Sequence, residues 1–438
     1  FFAATTQLCA AAATMDLKTY LQEVRSQNQG IKASLEDADG AYMRSDEALL
    51  LLRPTAFGDF RWGADAKETL TPSFQGTKTE GSKYTLGVSQ LTPIGLSGKV
   101  YYELNHTKIE GASPTMLPLS DYYDAKPVIE VSLSTLRNSF GAETRADQDM
   151  YQARALANHY EELAKAKSEL VRAEQAYWAL ALTRETVSVQ KESLERAEKI
   201  KDWSAKRASL QLADRSDFLQ AEAALQLRVL DLQAAQDDER AAARAFNSMR
   251  GIDSDSTNHS LISPERQEID RLEVPRRMEY REDVLAAREL SRANEAYARS
   301  RKSHLAPVLD VYGSYALNGR DAKSGQAKSD SLRSDYPTWY FGVKFEAPLD
   351  VVTLFASRSG YAKEQAAAEG LFSRRLFEQE DAWKDLLLRF SEAKRRLKLS
   401  RAIEKAQREK LDNERSRHRS GRTTTYQVLL FEQDYAAA

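Results

Sequence analysis

Hydrophobic positions along this chain follow two periods, one near 3.6 residues and one of two residues. From about Glu143 to Lys206 neither Pro nor Gly interrupts the chain, and Leu163, Ala166, Leu170, Ala173, Tyr177, Leu180, Val187 and Leu194 keep heptad spacing. After a break near Ala208–Ser216, Phe218, Ala221, Leu225, Leu232, Ala235, Ala242, Phe246 and Met249 resume it as far as Gly251. Tyr361 to about Arg415 behaves alike, with Leu376, Trp383, Leu387, Phe390, Ala393 and Leu397. This spacing predicts helices, the first roughly 90–100 Å long at about 1.5 Å per residue. Met15–Leu52 reads as a further helix, stopped by Pro54.

Between the helical stretches the period falls to two. Tyr84, Leu86 and Val88 oppose Thr85 and Gly87; Val100, Tyr102 and Leu104 oppose Lys99, Tyr101, Glu103 and Asn105; Ile129, Val131 and Leu133 oppose Glu130 and Ser132. Further on, Leu309, Val311, Tyr315 and Leu317 oppose Asp310, Tyr312 and Ser314, and Trp339, Phe341, Val343 and Phe345 oppose Tyr340, Lys344 and Glu346. Such alternation suits a membrane-barrel strand and equally a soluble sheet with one wet face. The helices break the tie. A helix this long buries its stripe only against comparable partners, which predicts a coiled-coil assembly.

The order is also repeated. A Pro-anchored strand, a second strand and a long heptad helix run from Leu52-Arg53-Pro54 to Phe218–Glu222. They run again from Leu305-Ala306-Pro307 to Val428–Glu432, the pattern of an internal duplication. The expected organisation is an apolar leader remnant over 1–13, a first repeat over 14–251, a polar connector over 252–280 and a second repeat over 281–438. In the first repeat 77 residues separate Pro54 from Val131, whereas 36 separate Pro307 from Val343. The first half therefore carries an insertion, read as an extra hairpin around Pro93-Ile94-Gly95.

Composition narrows the function. Of 438 residues 29% are charged, and the net charge of −2 gives no bulk attraction to nucleic acid or acidic lipid. No window is apolar enough for a membrane helix. The small-residue run from Phe1 to Ala13 predicts export. Cys9 is the sole cysteine, so no disulfide framework is available, and Gln7-Leu8 before it is not a lipidation context. His106, His159, His259, His304 and His418 are dispersed, and no phosphate loop or nucleophile motif occurs. No cofactor, metal or catalytic residue is expected, and the chain does not read as an enzyme.

Several segments in this order resemble the TolC-type outer-membrane efflux channels, also called outer membrane factors. They are Asp16-Leu17-Lys18-Thr19-Tyr20-Leu21 with Asn28, Arg281–Ala287, Leu305–Leu309, and the two helix-turn segments Leu212–Glu222 and Ser420–Leu429. The resemblance covers nearly the whole chain. It implies a mainly α fold with transmembrane β: a homotrimer with one shared β-barrel in the outer membrane of a Gram-negative bacterium and an α-helical coiled-coil tunnel in the periplasm. It implies a passive exit duct of a tripartite efflux or type I secretion system, with a periplasmic adaptor protein, an inner-membrane pump and outer-membrane lipid as partners. A soluble periplasmic coiled-coil adaptor or scaffold is the alternative that the helices alone would allow.

The resemblance also assigns sites. A periplasmic gate would lie at the two helix turns, near 207–217 and 415–427, with Arg419, Arg422, Thr425 and Gln427. Adaptor contacts would use Leu210, Leu212, Ala213, Asp217 and Gly421, with Asp217 capping a helix start. By residue type, apart from the resemblance, Trp62, Tyr84, Tyr102, Trp339 and Phe341 are read as a membrane aromatic belt, or each singly as a core residue. Where such channels carry acidic side chains beside the second turn, this chain has Gln427 and Leu430, and Arg415, Arg417, His418, Arg419 and Arg422 make the turn basic. That is read either as a mouth that disfavours cation block or as a solvated basic turn. The resemblance gives four wall strands per protomer, the number expected here although six candidates stand. Because only about 10 residues follow Val428, against about 33 after Phe218, the last helix is expected to continue beyond Ala438.

Overall fold

A computed structural model describes residues 14–66, 68–211, 214–262, 266–277 and 279–438; the expected leader remnant lies outside them. The chain divides into two compact units. One, the sheet unit, comprises Asp39–Tyr160 and Asp283–Arg375. The other, the helical unit, comprises the chain up to Ala38, Glu161–Glu282 and Leu376–Ala438. Each unit thus draws on both halves of the sequence, because the helices Ala142–Ser209 and Val351–Arg419 each begin in the sheet unit and end in the helical unit.

The sheet unit is built on a six-stranded antiparallel meander. Its strands are β1 (Thr55–Asp65), β2 (Lys78–Leu91), β3 (Leu96–Glu110), β4 (Asp121–Ser134), β5 (Val308–Leu317) and β6 (Pro337–Glu346), adjacent in that order. A three-residue extension, Gly319–Asp321, also pairs with β4. The five alternating segments in the sequence are all strands of this one sheet. β1 is the sixth, so the sheet holds six continuous strands, the number of candidates in the sequence, beside the four that the resemblance gives for a membrane wall. Along β1 the alternation is diluted by Gly58 on the apolar face and Phe57 on the polar face, which is why its period is weak.

Three long helices and a shorter one follow the strands. β4 leads into α3 (Ala142–Ser209), which reverses into α4 (Arg215–Met249); β6 leads into α6 (Val351–Arg419), which reverses into α7 (Thr425–Ala437). Between them α5 (Glu282–His304) precedes β5. The expected N-terminal helix is instead two helices, α1 (Leu17–Gln27) and α2 (Gln29–Met43), followed by a 3₁₀ stretch to Leu52. Asn28 makes the break: its Oδ1 accepts from the Ile31 amide at 3.1 Å, and its Nδ2 donates to the Met249 carbonyl at 2.9 Å. A side chain that caps the following turn competes with continuation of the helix.

In the helical unit, α1, α3 and α4 close around Tyr20, Tyr177 and Phe246, all fully buried, with Val24, Ile31 and Leu180. Tyr20 stacks on Phe246 at 4.2 Å, and its hydroxyl donates to the Phe246 carbonyl at 3.1 Å. Tyr177 does more: its hydroxyl lies 2.9 Å from the Met15 carbonyl and accepts from the Ile262 amide at 3.1 Å. It thereby pins the short parallel bridge between Thr14–Met15 and Ser260–Leu261. The predicted connector contains the Ser260–Leu261 strand of this bridge and a short helix, Arg266–Arg271.

Candidate functional site

Two surfaces carry chemistry, one in each unit. In the helical unit the two helix reversals are short. The first, Leu210–Asp214, passes through Gln211 at φ +54°, and the second, Ser420–Thr424, through Gly421 at φ +70°. Thr424 caps α7, accepting from the Gln427 amide at 3.4 Å. Asp214 occupies the N-cap position of α4, so Asp217 is not the cap expected of it. The helix starts three residues earlier, and Asp217 sits in its first turn, where the positive end of the helix dipole favours its charge.

Around the second reversal ionic groups are buried beside Leu411 and Val428. Glu432 on α7 is 5% exposed and accepts from Arg196 of α3 at 2.9 Å and from Arg415 of α6. Glu414 is equally buried and is held by Thr423 and by Arg417 at 3.3 Å. His418 lies against the Trp203 ring at 3.9 Å, with its Nε2 3.4 Å from the Thr425 hydroxyl. Burial, and then the Arg207 charge, pull its pKa below the ordinary histidine value. Arg207 itself lies over Trp203 at 4.6 Å.

The gate residues therefore divide. Arg419 and Arg422 are exposed, Gln427 is half-buried, and Thr425 is buried against His418, where it packs rather than faces solvent. Leu210 and Gly421 are exposed, as an adaptor contact would require, while Leu212 and Ala213 fall outside the described residues. The pairs Arg196–Glu432 and Trp203–His418 were not visible beforehand. They join helices more than two hundred residues apart in sequence, and only the four-residue spacing of Glu414 and His418 on one helix face hinted at a buried polar stripe.

In the sheet unit the pairing sorts side chains by face. Ala56, Val88, Val100, Ile129, Tyr315 and Trp339 are direct cross-strand neighbours, one from each strand, and all are exposed. One residue along, on the other face, stand Thr55, Ser89, Lys99, Glu130, Ser314 and Tyr340. The polar face is cross-linked: Lys83 to Glu103 at 2.5 Å, the Tyr101 hydroxyl to Glu130 at 2.8 Å, and Ser134 to Asp310 at 2.7 Å. The apolar face ends at a charged row, Glu80, Lys108 and Asp121. From Leu104 to Leu96 on β3, nine residues, its cross-strand rows carry no Asp, Glu, Lys or Arg, whereas the next row, through His106 and Tyr123, reaches Asp321. That is roughly 26 Å along a strand, or about 20 Å of height at barrel tilt.

All five expected belt residues lie on this apolar face. Trp62, Trp339 and Phe341 are strongly exposed, Tyr84 packs on Phe60 at 4.7 Å, and Tyr102 bonds Ser331 at 3.0 Å. They occupy different rows, so they furnish a face and not a single girdle. Among the described residues no helix is long and apolar enough to cross a membrane, and no cluster fit to hold a metal ion occurs.

No protein-family model matches the chain, and no curated protein does. Solved structures do. The outer membrane protein VceC from Vibrio cholerae superposes with a TM-score of 0.67 at 13% identity, covering 96% of this chain and 90% of that one. The open-state MtrE outer membrane channel of Neisseria gonorrhoeae gives 0.63 at 15%, covering 96% and 83%. The CmeC outer membrane channel of Campylobacter jejuni gives 0.62 at 13%, covering 96% and 80%. At such identities the likeness establishes the fold, which is that of these outer-membrane channels.

Proposed function

We propose that the chain is the outer-membrane channel of a tripartite efflux or type I secretion system, a passive duct that joins a periplasmic adaptor and an inner-membrane pump. The observation that carries this reading is the apolar row from Ala56 to Trp339, exposed on every strand of the sheet and backed by a polar row. In water an apolar face of this extent is a liability; against lipid it is a wall, and the polar face lines an aqueous bore. β1 and β6 each pair on one side only. Open edges are not tolerated within hydrocarbon, so copies of the chain close the sheet on itself, in the trimeric arrangement that the resemblance implies. The helical unit forms the periplasmic tunnel, with the reversals at 210–214 and 420–424 as gate and adaptor contact.

A soluble coiled-coil scaffold accounts for the helices but leaves the sheet face without an occupant. The two readings separate in one experiment. The channel migrates in detergent gels as an oligomer that heat dissociates, and it conducts in planar bilayers. A protein that stays in the soluble fraction and gives no conductance refutes the channel.

A further inference from the structure

We infer that the inserted hairpin, β2 and β3, is part of the membrane wall, so that each copy supplies six strands and three copies close an 18-stranded barrel. The inference rests on the three-copy channel reading above and fixes the bore that such a channel has.

Three independent observations place the hairpin in the wall. The first is its length: β2 has 14 residues and β3 has 15, both longer than the 10–11 of β1, β5 and β6, and each exceeds the roughly 9–11 residues that cross a bilayer. The second is its sorting. Leu86, Val88 and Val100 share the exposed apolar face with Ile129 and Trp339, while Lys83, Lys99 and Glu103 share the polar face with Glu130. A hairpin standing outside the wall has no reason to keep lipid-facing and water-facing residues in phase with its neighbours. Cross-strand packing also runs through it: Phe57 of β1 and Tyr101 of β3 approach to 6.1 Å on either side of Gly87, whose missing side chain leaves room for the Tyr101 Cβ.

The third observation is its anchorage. The β2–β3 turn does not dangle. Arg145 on the first turns of α3 donates to both the Pro93 and Phe140 carbonyls at 2.7 Å. Gly141 sits so close that any Cβ there would fall 1.9 Å from the Pro93 oxygen. The hairpin is thus tied at the point where β4 hands over to α3, and it pairs with β1 over Thr79–Ser89 on one side and with β4 over Leu96–Lys108 on the other.

Barrel diameter grows roughly in proportion to strand number. Six strands per copy instead of four make the bore about half as wide again, in the 16–18-strand range where barrels keep a water-filled channel.

The test is lipid accessibility in proteoliposomes, on a Cys9→Ser background. Single cysteines replace Val88 and Val100 on the hairpin, Ile129 and Tyr315 as apolar-face references, and Ser89 and Glu130 as polar-face references. V88C and V100C are expected to react with a water-soluble maleimide at least tenfold more slowly than S89C, matching I129C and Y315C. A bimane label at V88C is expected to be quenched by bromolipids. If V88C and V100C label as fast as S89C while I129C and Y315C stay protected, the hairpin lies outside the wall and the inference fails with the channel reading intact. If I129C and Y315C label freely too, both fail. Electron cryomicroscopy of the detergent-solubilised particle gives the same answer directly: 18 strands support the inference and 12 overturn it.

Discussion

Changing Glu432 to Gln probes the ionic lock on the second helix reversal. The carboxylate is buried and accepts from Arg196 on α3 and Arg415 on α6, whose side chains are 16% and 30% exposed. Removing one partner of a buried ion pair costs about 3–5 kcal/mol. Part of that is recovered here, because both guanidiniums reach water and Arg196 retains Glu192 at 3.4 Å, leaving about 2–3 kcal/mol. If the packed position of α7 is the closed state, the loss shifts the closed-to-open balance by roughly 30–150-fold, at about 1.4 kcal/mol per tenfold. Open probability in planar bilayers reads that shift, and Arg196→Met should reproduce part of it. An E432Q channel with unchanged open probability and unchanged thermal stability would refute the reasoning. Unchanged open probability with a lowered melting temperature would show that the cluster stabilises the helices without controlling the gate.

His418 gives a pH signature: its pKa is held below the ordinary value, so the unfolded chain binds the proton more readily. Its contribution to stability is fully present above about pH 6.5 and falls as pH drops towards the folded pKa; the melting temperature of His418→Gln should fall less between pH 7.5 and pH 5 than that of the unaltered protein. Thr424→Ala removes the cap of α7, and the 3.4 Å bond suggests a loss of about 0.5–1 kcal/mol, seen as faster amide exchange over Thr425–Val428 while α3 is unaffected. Tyr177→Phe strips the hydroxyl from the Met15–Ile262 junction and should cost about 1–2 kcal/mol, with faster protease cleavage inside 252–277; equal cleavage rates would argue against the pinning role.

Helix α3 was legible because nothing in it competes: across Ala142–Ser209 no Pro or Gly breaks the heptad stripe. Helix α6 starts at Val351, ten residues before the Tyr361 expected, and carries Gly360 and Gly370 in its first third; both reversals fall within a few residues of where the stripes lapse. The strands beyond β1 were legible for the same reason, since each keeps its period at full strength. What could not be read locally was set by partners far away in sequence. Asn28 breaks the first helix because the Met249 carbonyl is there to receive its amide. Asp217 looked like a cap from composition, but Gln211 at φ +54° turns the chain earlier and lets the helix begin at Arg215. Thr425 matched a gate position by resemblance and is buried because His418 stands beside it. The gate and adaptor roles of the exposed residues stay proposals that the experiments above address.

The meander has a consequence for how the protein is made. From β1 to β4 every strand pairs with its immediate successor, so these four can zip together from local turns as soon as they emerge. β4 must then wait for β5: Val128 meets Ala316 only after both α3 and α4 have been synthesised. Pairings of such sequence separation carry a high loop-closure cost and form late. Until that pairing forms, β1 to β4 make a four-stranded ribbon with an apolar face and two open edges, and β5 and β6 then complete the sheet. In the assembly proposed above, the order of events follows: a copy would gain the outer edge through which a neighbour pairs only once its second half has arrived.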